Sequence, residues 1–108
     1  MSKRPTKVKL PKCLLKYSIY KNGEHCTMGF LLNKAGVSNS KLSKLIKHKE
    51  VDIDNKKYTY ACDLAKDLYG ISEKEYTEIT LQNDMSSEND RMNVLKNLLT
   101  ELGIEYEE

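Results

Sequence analysis

Residues 30–46 read Phe30-Leu31-Leu32-Asn33-Lys34-Ala35-Gly36-Val37-Ser38-Asn39-Ser40-Lys41-Leu42-Ser43-Lys44-Leu45-Ile46, and the rest of the chain is divided around them. Gly36, at the centre, enters the left-handed backbone region without steric cost, so Ala35-Gly36-Val37 is a tight turn. Upstream, Thr27 to Lys34 is a compact apolar helix candidate with Thr27 placed to cap its start. Downstream, Ser38 caps a second helix from Asn39 to about His48, whose Leu42, Leu45 and Ile46 share one inward face.

Further out, Val51 to Tyr60 alternates as a β-hairpin. Val51 and Ile53 point one way, Asp54-Asn55 turns the chain, and Tyr58 and Tyr60 return. Residues 61–69 form a short helix packing Leu64, Ala65 and Leu68, stopped at Gly70. Ser72-x-x-Glu75 is a capping box that opens a helix to about Gln82, with Tyr76, Ile79 and Leu81 on its inner side. Asn83-Asp84-Met85-Ser86 breaks that pattern. Ser87-x-x-Asp90 opens the last helix, where Met92, Leu95, Leu98, Leu99 and Leu102 make an apolar stripe that ends at Gly103, with Ile104 folding back. Residues 13–21 read either as a strand before the turn former Asn22-Gly23 or as an amphipathic helix from Pro11 that stops at Gly23. The helical spacing of Leu14, Leu15, Ser18 and Ile19 is the stronger signal. The fold class expected is α+β, a helix-dominated small single domain with one short β-hairpin. A flexible basic arm over 1–12 precedes the globular domain 13–104, and an acidic tail, 105–108, follows it.

Composition limits the function classes. The chain has 108 residues, 39% hydrophobic and 31% charged, with seven Tyr, one Phe and no Trp. That is one domain's worth of core. No stretch reaches the ~18 apolar residues of a membrane span, and no apolar h-region of a secretory signal opens the chain. Three Cys in such a chain read as reduced thiols, which places the protein in the cytoplasm. The charge is polarised. Residues 1–50 carry twelve Lys/Arg against Glu24 and Glu50, while residues 51–108 carry six against fourteen Asp/Glu. The basic half calls for an anionic partner, or for attraction between the halves within or between chains.

The 30–46 stretch resembles a DNA-binding helix-turn-helix. It has the Gly in the turn, an apolar residue after it, a capping Ser, and apolar residues where the helices meet. The resemblance implies that Asn39, Ser40, Lys41 and Lys44 face a groove, with the 51–60 hairpin where winged variants keep their wing. One departure is Leu32, four before the Gly, where a small Ala is usual. Lys41 sits in the first turn of its helix, where the dipole disfavours a cation, so it suits a phosphate contact better than it suits stability. Lys34, Lys47 and His48 extend this surface, and Lys3, Arg4, Lys7 and Lys9 of the arm add to it.

A second resemblance spans about 22–102. Asn22-Gly23, Cys26-x-Met28-Gly29-Phe30-Leu31-Leu32, Gly36-Val37 and Leu42, then Leu81-Gln82-Asn83-Asp84 before a closing helix, look like a pattern in small phage and plasmid proteins that carry no assigned activity. It implies that Gly29 admits a neighbouring backbone, that Cys26 packs as a small apolar residue, and that Asn83 and Asp84 brace a turn. The function expected first is a non-enzymatic phage-type accessory protein that binds a host macromolecule as an anti-defence or host-takeover inhibitor, in the host cytoplasm. The alternative is a helix-turn-helix transcriptional regulator. The partner expected is a host protein complex or nucleic acid with an anionic surface. No membrane is implied, and a homodimer is left open.

Catalytic and metal chemistry find no footing in the sequence. Cys13, His25, Cys26, His48 and Cys62 lack the Cys-x₂₋₄-Cys or His-x₃₋₅-His spacing of a structural zinc site. His25 and Cys26 are neighbours with no orienting third group. No Gly-rich phosphate loop is present. The expectation is therefore a protein without cofactor, metal or catalytic residue.

Overall fold

The apolar run after Cys26 forms helix α1 (Thr27–Lys34) at the centre of the computed structural model, which describes residues 3–108. Thr27 to Leu32 are all buried, as befits a helix that is apolar on every side. Its cap is Cys26, not Thr27. The Cys26 Sγ accepts from the Gly29 N–H at 3.4 Å, and Thr27 is already helical. The turn closes as its residues dictate. Gly36 has φ 104°, and the N–H groups of Gly36 and Val37 bond to the carbonyls of Asn33 and Leu32 at 3.0 and 3.1 Å. This is the Schellman closure. Ser38 then caps α2 (Asn39–Ile46) by accepting from the Lys41 N–H at 3.3 Å. α2 ends at Ile46, two residues earlier than its pattern suggests. His48 takes the left-handed position after the cap (φ 56°), and the Lys49 N–H reaches back to the Lys44 carbonyl at 2.9 Å.

Strands β2 (Val51–Ile53) and β3 (Lys56–Tyr58) pair antiparallel around Asp54-Asn55, both at positive φ. Such a turn matches the twist of a hairpin. Helix α3 (Ala61–Tyr69) follows and is stopped by Gly70 at φ 71°. Asp67 of α3 holds the hairpin: the Lys56 Nζ and the Tyr58 hydroxyl both donate to its Oδ2 at 2.6 Å. Those two bonds keep the Asp67 carboxyl below its ordinary range. Burial, and then the same aspartate, push the Tyr58 phenol up to about 12. Ser72 and Glu75 form the full capping box of α4 (Glu73–Met85). Ser87 caps α5 (Glu88–Glu101), and Gly103 and Ile104 close it with bonds to the carbonyls of Thr100 and Leu99. Leu95, Leu98, Leu99 and Ile104 are buried. α1 touches all four other helices, so the core is a shell around α1. The Cα radius of gyration, 12.7 Å, fits the ~13 Å of one folded domain of this length.

Four expectations change. Residues 13–21 are neither helix nor strand but an irregular strap across α1. A Cβ on Gly29 would lie 1.8 Å from the Ile19 carbonyl oxygen, so only glycine lets the strap lie this close to the helix. The Asn22-Gly23 turn forms, but only the Lys21–Glu24 bridge flanks it. Second, α4 runs through Asn83 and Asp84 to Met85 instead of breaking at Asn83. Third, Leu81 points outward, 55% exposed, and Ile46 is 40% exposed. Fourth, Lys7–Lys9 of the expected arm is strand β1, paired in parallel with β4 (Glu105–Glu107) of the expected acidic tail. Val8 is buried there, and Lys7 pairs with Glu107 at 3.7 Å. Opposite charges of the two halves thus meet within the chain. Residues 1–2 of the expected arm lie outside the described residues.

The strap replaces ladder bonds with side chains, because every buried backbone group needs a partner. The Asn83 Nδ2 donates to the Leu15 carbonyl at 2.8 Å, and the Asp84 Oδ1 accepts from the Tyr17 N–H at 2.8 Å. The Arg91 Nε donates to the Leu14 carbonyl at 3.1 Å, and its Nη1 to the Ser86 carbonyl at 2.7 Å. Asn83 is fully buried, and its Oδ1 also accepts from the Thr27 N–H and hydroxyl at 3.0 and 2.8 Å. One side chain therefore joins α4, the first turn of α1 and the strap.

Candidate nucleic-acid interface

Leu42 and Leu45 anchor α2 in the core, and Ser40, Lys44 and Ile46 are thereby turned outward. Ser40, Ser43, Lys44 and Lys47 line one surface depression with Lys49. Residues 25–49 contain no Asp or Glu, and the first turn of α2 lacks the acidic residue that its dipole would favour. Among the described residues, Lys34, Lys41, Lys44, Lys47 and Lys49 take part in no salt bridge. Lys34 lies over the Phe30 ring, 5.6 Å from its centroid. Lys41 is half-buried. An exposed row of unpaired ammonium groups is a positive field with no internal counter-charge.

The hairpin differs. Lys56 is held by Asp67 at 2.6 Å and Lys57 by Glu50 at 3.2 Å. The element in the wing position therefore offers no unpaired lysine. Asn39 also differs from its expected part. Its Oδ1 accepts from the His25 Nε2 at 2.7 Å and from the Asn33 Nδ2 at 3.3 Å, so it locks α2 to the end of the strap and to α1. His25 was not signalled by any motif, because its partner lies across the turn. His48 packs against Tyr60, ring centroids 5.3 Å apart.

The basic residues before residue 12 divide. The Lys3 N–H bonds to the Ala35 carbonyl at 2.9 Å, beside the α1–α2 turn. The Arg4 guanidinium donates to the Leu102 carbonyl. Lys7 is paired with Glu107, and Lys9 is exposed on β1. Arg4 and Lys7 thus serve the closure of the two termini, and the α2 cluster stands apart from them.

The three thiols are free. Burial raises the Cys26 thiol above its ordinary value, and burial with neighbouring carboxylates does the same for Cys13 and Cys62. Raised thiols are poor nucleophiles at neutral pH. No group of three or more metal-ligating side chains comes together among the described residues, and no helix there is long and apolar enough to cross a membrane. No protein-family model, no curated protein and no solved structure matches the chain.

Proposed function

We propose that the chain is a helix-turn-helix DNA-binding protein of the cytoplasm, acting as a transcriptional regulator, with α2 as the helix that enters the major groove. The observation that carries this reading is the surface formed by the outward side of α2 and the turn that follows it: three exposed lysines in no salt bridge, Lys44, Lys47 and Lys49, beside Ser40 and Ser43. That face stands on a two-helix unit whose turn is closed by Gly36 and whose second helix is capped by Ser38. In the groove, Lys44, Lys47 and Lys49 bind phosphates, and Ser40 and Ser43 approach base edges. Asn39 and His25 fix the angle of α2 rather than read sequence.

The test is fluorescence anisotropy of duplex DNA against the double variant K44E/K47E, with circular dichroism as the folding control. Both side chains are exposed, so the fold is retained. Loss of two phosphate contacts lowers the slope of log K against log salt by about two units. A folded variant with unchanged affinity and slope overturns the reading.

An accessory protein that binds a host protein is the second reading. It is favoured by Leu81 and Met85, one turn apart on α4 and 55% and 79% exposed, an apolar pair without a use in DNA binding. Under it, L81S/M85S abolishes capture of the host partner and leaves any DNA affinity untouched.

A further inference from the structure

A pocket of about 340 Å³ opens between the strap, Cys26, the end of α2, the start of α3 and one side of α4 from Tyr76 to Asp84. It falls within the ~300–1,000 Å³ range of small-molecule sites. Three tyrosines, Tyr17, Tyr60 and Tyr76, line it together with His48 and Ile46, and among the described residues Asp84 is the only acidic one that lines it. No Lys or Arg among the described residues lines it. Tyr17 and Tyr60 are 74% and 52% exposed, so their rings have solvent to lose on binding. Burial holds the Tyr76 phenol well above its ordinary value, hence neutral.

Asp84 is half-buried. Its Oδ1 accepts from the Tyr17 N–H at 2.8 Å and from the Asn83 Nδ2 at 3.1 Å. Its second oxygen has no hydrogen-bond or ion-pair partner among the described residues. The Lys16 ammonium lies over one face of the Tyr17 ring, 5.3 Å from its centroid, so this ring already accepts a cation within the chain. Ring faces carry a negative quadrupole and attract cations, and the carboxylate adds a full charge. An anion would meet the Asp84 carboxylate with no Lys or Arg among the described lining residues to hold it. A neutral apolar molecule would bury the rings and leave the carboxylate oxygen unanswered.

We infer that this pocket binds a monovalent organic cation with an apolar body, a substituted ammonium carried on a ring, with the charge against Asp84 and the body between Tyr17, Tyr60 and Tyr76. The test is titration with benzyltrimethylammonium, benzyl alcohol and benzenesulfonate, followed by calorimetry and by tyrosine emission, which no tryptophan masks. The cation binds saturably, at least about tenfold more tightly than the alcohol, and the sulfonate does not bind. Asp84→Asn keeps an acceptor for the Tyr17 N–H, weakens the cation about tenfold and leaves the alcohol unchanged. Tyr60→Ala removes a ring that is 52% exposed and packs against His48, and it weakens the cation too, which covers the case of an unfolded Asp84 variant. Equal affinity for the three probes, wild-type affinity in folded variants, or no saturation by the cation overturns the inference. The titration contains no DNA, so its failure leaves the helix-turn-helix reading standing.

Discussion

Replacing Gly29 by Ala adds one methyl group to the first turn of α1, where helix propensity alone would add at most about 1 kcal/mol of stability. The structure reverses that sign. The new Cβ would lie 1.8 Å from the Ile19 carbonyl oxygen and 2.7 Å from its carbon. Both are backbone atoms, so no rotamer change relieves the overlap, and the strap must retreat until the gap reaches an ordinary 3.4 Å. Overpacking of this kind costs about 1–3 kcal/mol, here at the upper end. The retreat also pulls on the Tyr17 N–H bond to Asp84 and the Leu15 carbonyl bond to Asn83, each worth about 1 kcal/mol net. Set against the propensity gain, Gly29→Ala loses about 3–4 kcal/mol out of the ~5–15 kcal/mol that such a domain holds. Urea unfolding followed by circular dichroism reads this as a lower midpoint at unchanged slope, and thermal unfolding reads it as a Tm lower by roughly 15–25 °C. A variant as stable as wild type, or stabilised by the usual glycine-to-alanine gain, refutes the close approach of the strap.

Asn83→Leu leaves the Thr27 N–H and hydroxyl and the Leu15 carbonyl without their partner and lowers stability by about 2–4 kcal/mol in the same urea experiment; a neutral result would detach Asn83 from the strap. Cys13, Cys26 and Cys62 remain reduced, and buried Cys26 resists a thiol reagent until the chain is unfolded. A Cys13–Cys26 or Cys26–Cys62 bridge in the mass spectrum of fresh protein would contradict this. Tyr58, raised to about 12, together with Tyr69 and Tyr76, raised by burial, ionises later in the folded chain than in the unfolded one. Their contribution is complete below the ordinary pKa of 10.0 and is lost as pH rises through the folded values. Phenolate absorbance should therefore lag for these three and appear together with unfolding, and a single early step for all seven tyrosines would oppose it.

The elements legible in the sequence are those whose signals are local. Ser38, Gly36, Gly70, the Ser72/Glu75 box and Gly103 sit next to the helices that they start or stop, and Asp54-Asn55 lies inside its own hairpin. The strap escaped because its partners are Asn83, Asp84 and Arg91, side chains more than sixty residues away. The same contacts explain why α4 continues past Gln82. Asn and Asp are weak helix formers, but four hydrogen bonds to Asn83 outweigh that preference. β1 and β4 are three-residue strands from opposite ends of the chain, too short to show alternation. The lysine face of α2 was visible as a run without acids, whereas the engagement of Asn39 by His25 and the pairing of Lys56 and Lys57 needed coordinates. The pocket around Asp84 joins five separate stretches of chain, and no spacing in the sequence announces it.

α2 is the surface proposed to meet DNA. Titration of isotope-labelled protein with duplex DNA, followed residue by residue by NMR amide shifts, tests it most directly. The largest changes are expected on Ser38 to Lys49, with Lys7–Lys9 and Glu105–Glu107 unmoved, and they fade as salt is raised. Shifts confined to the terminal strands or to the Leu81–Met85 face of α4, or no shifts at low salt, would contradict it.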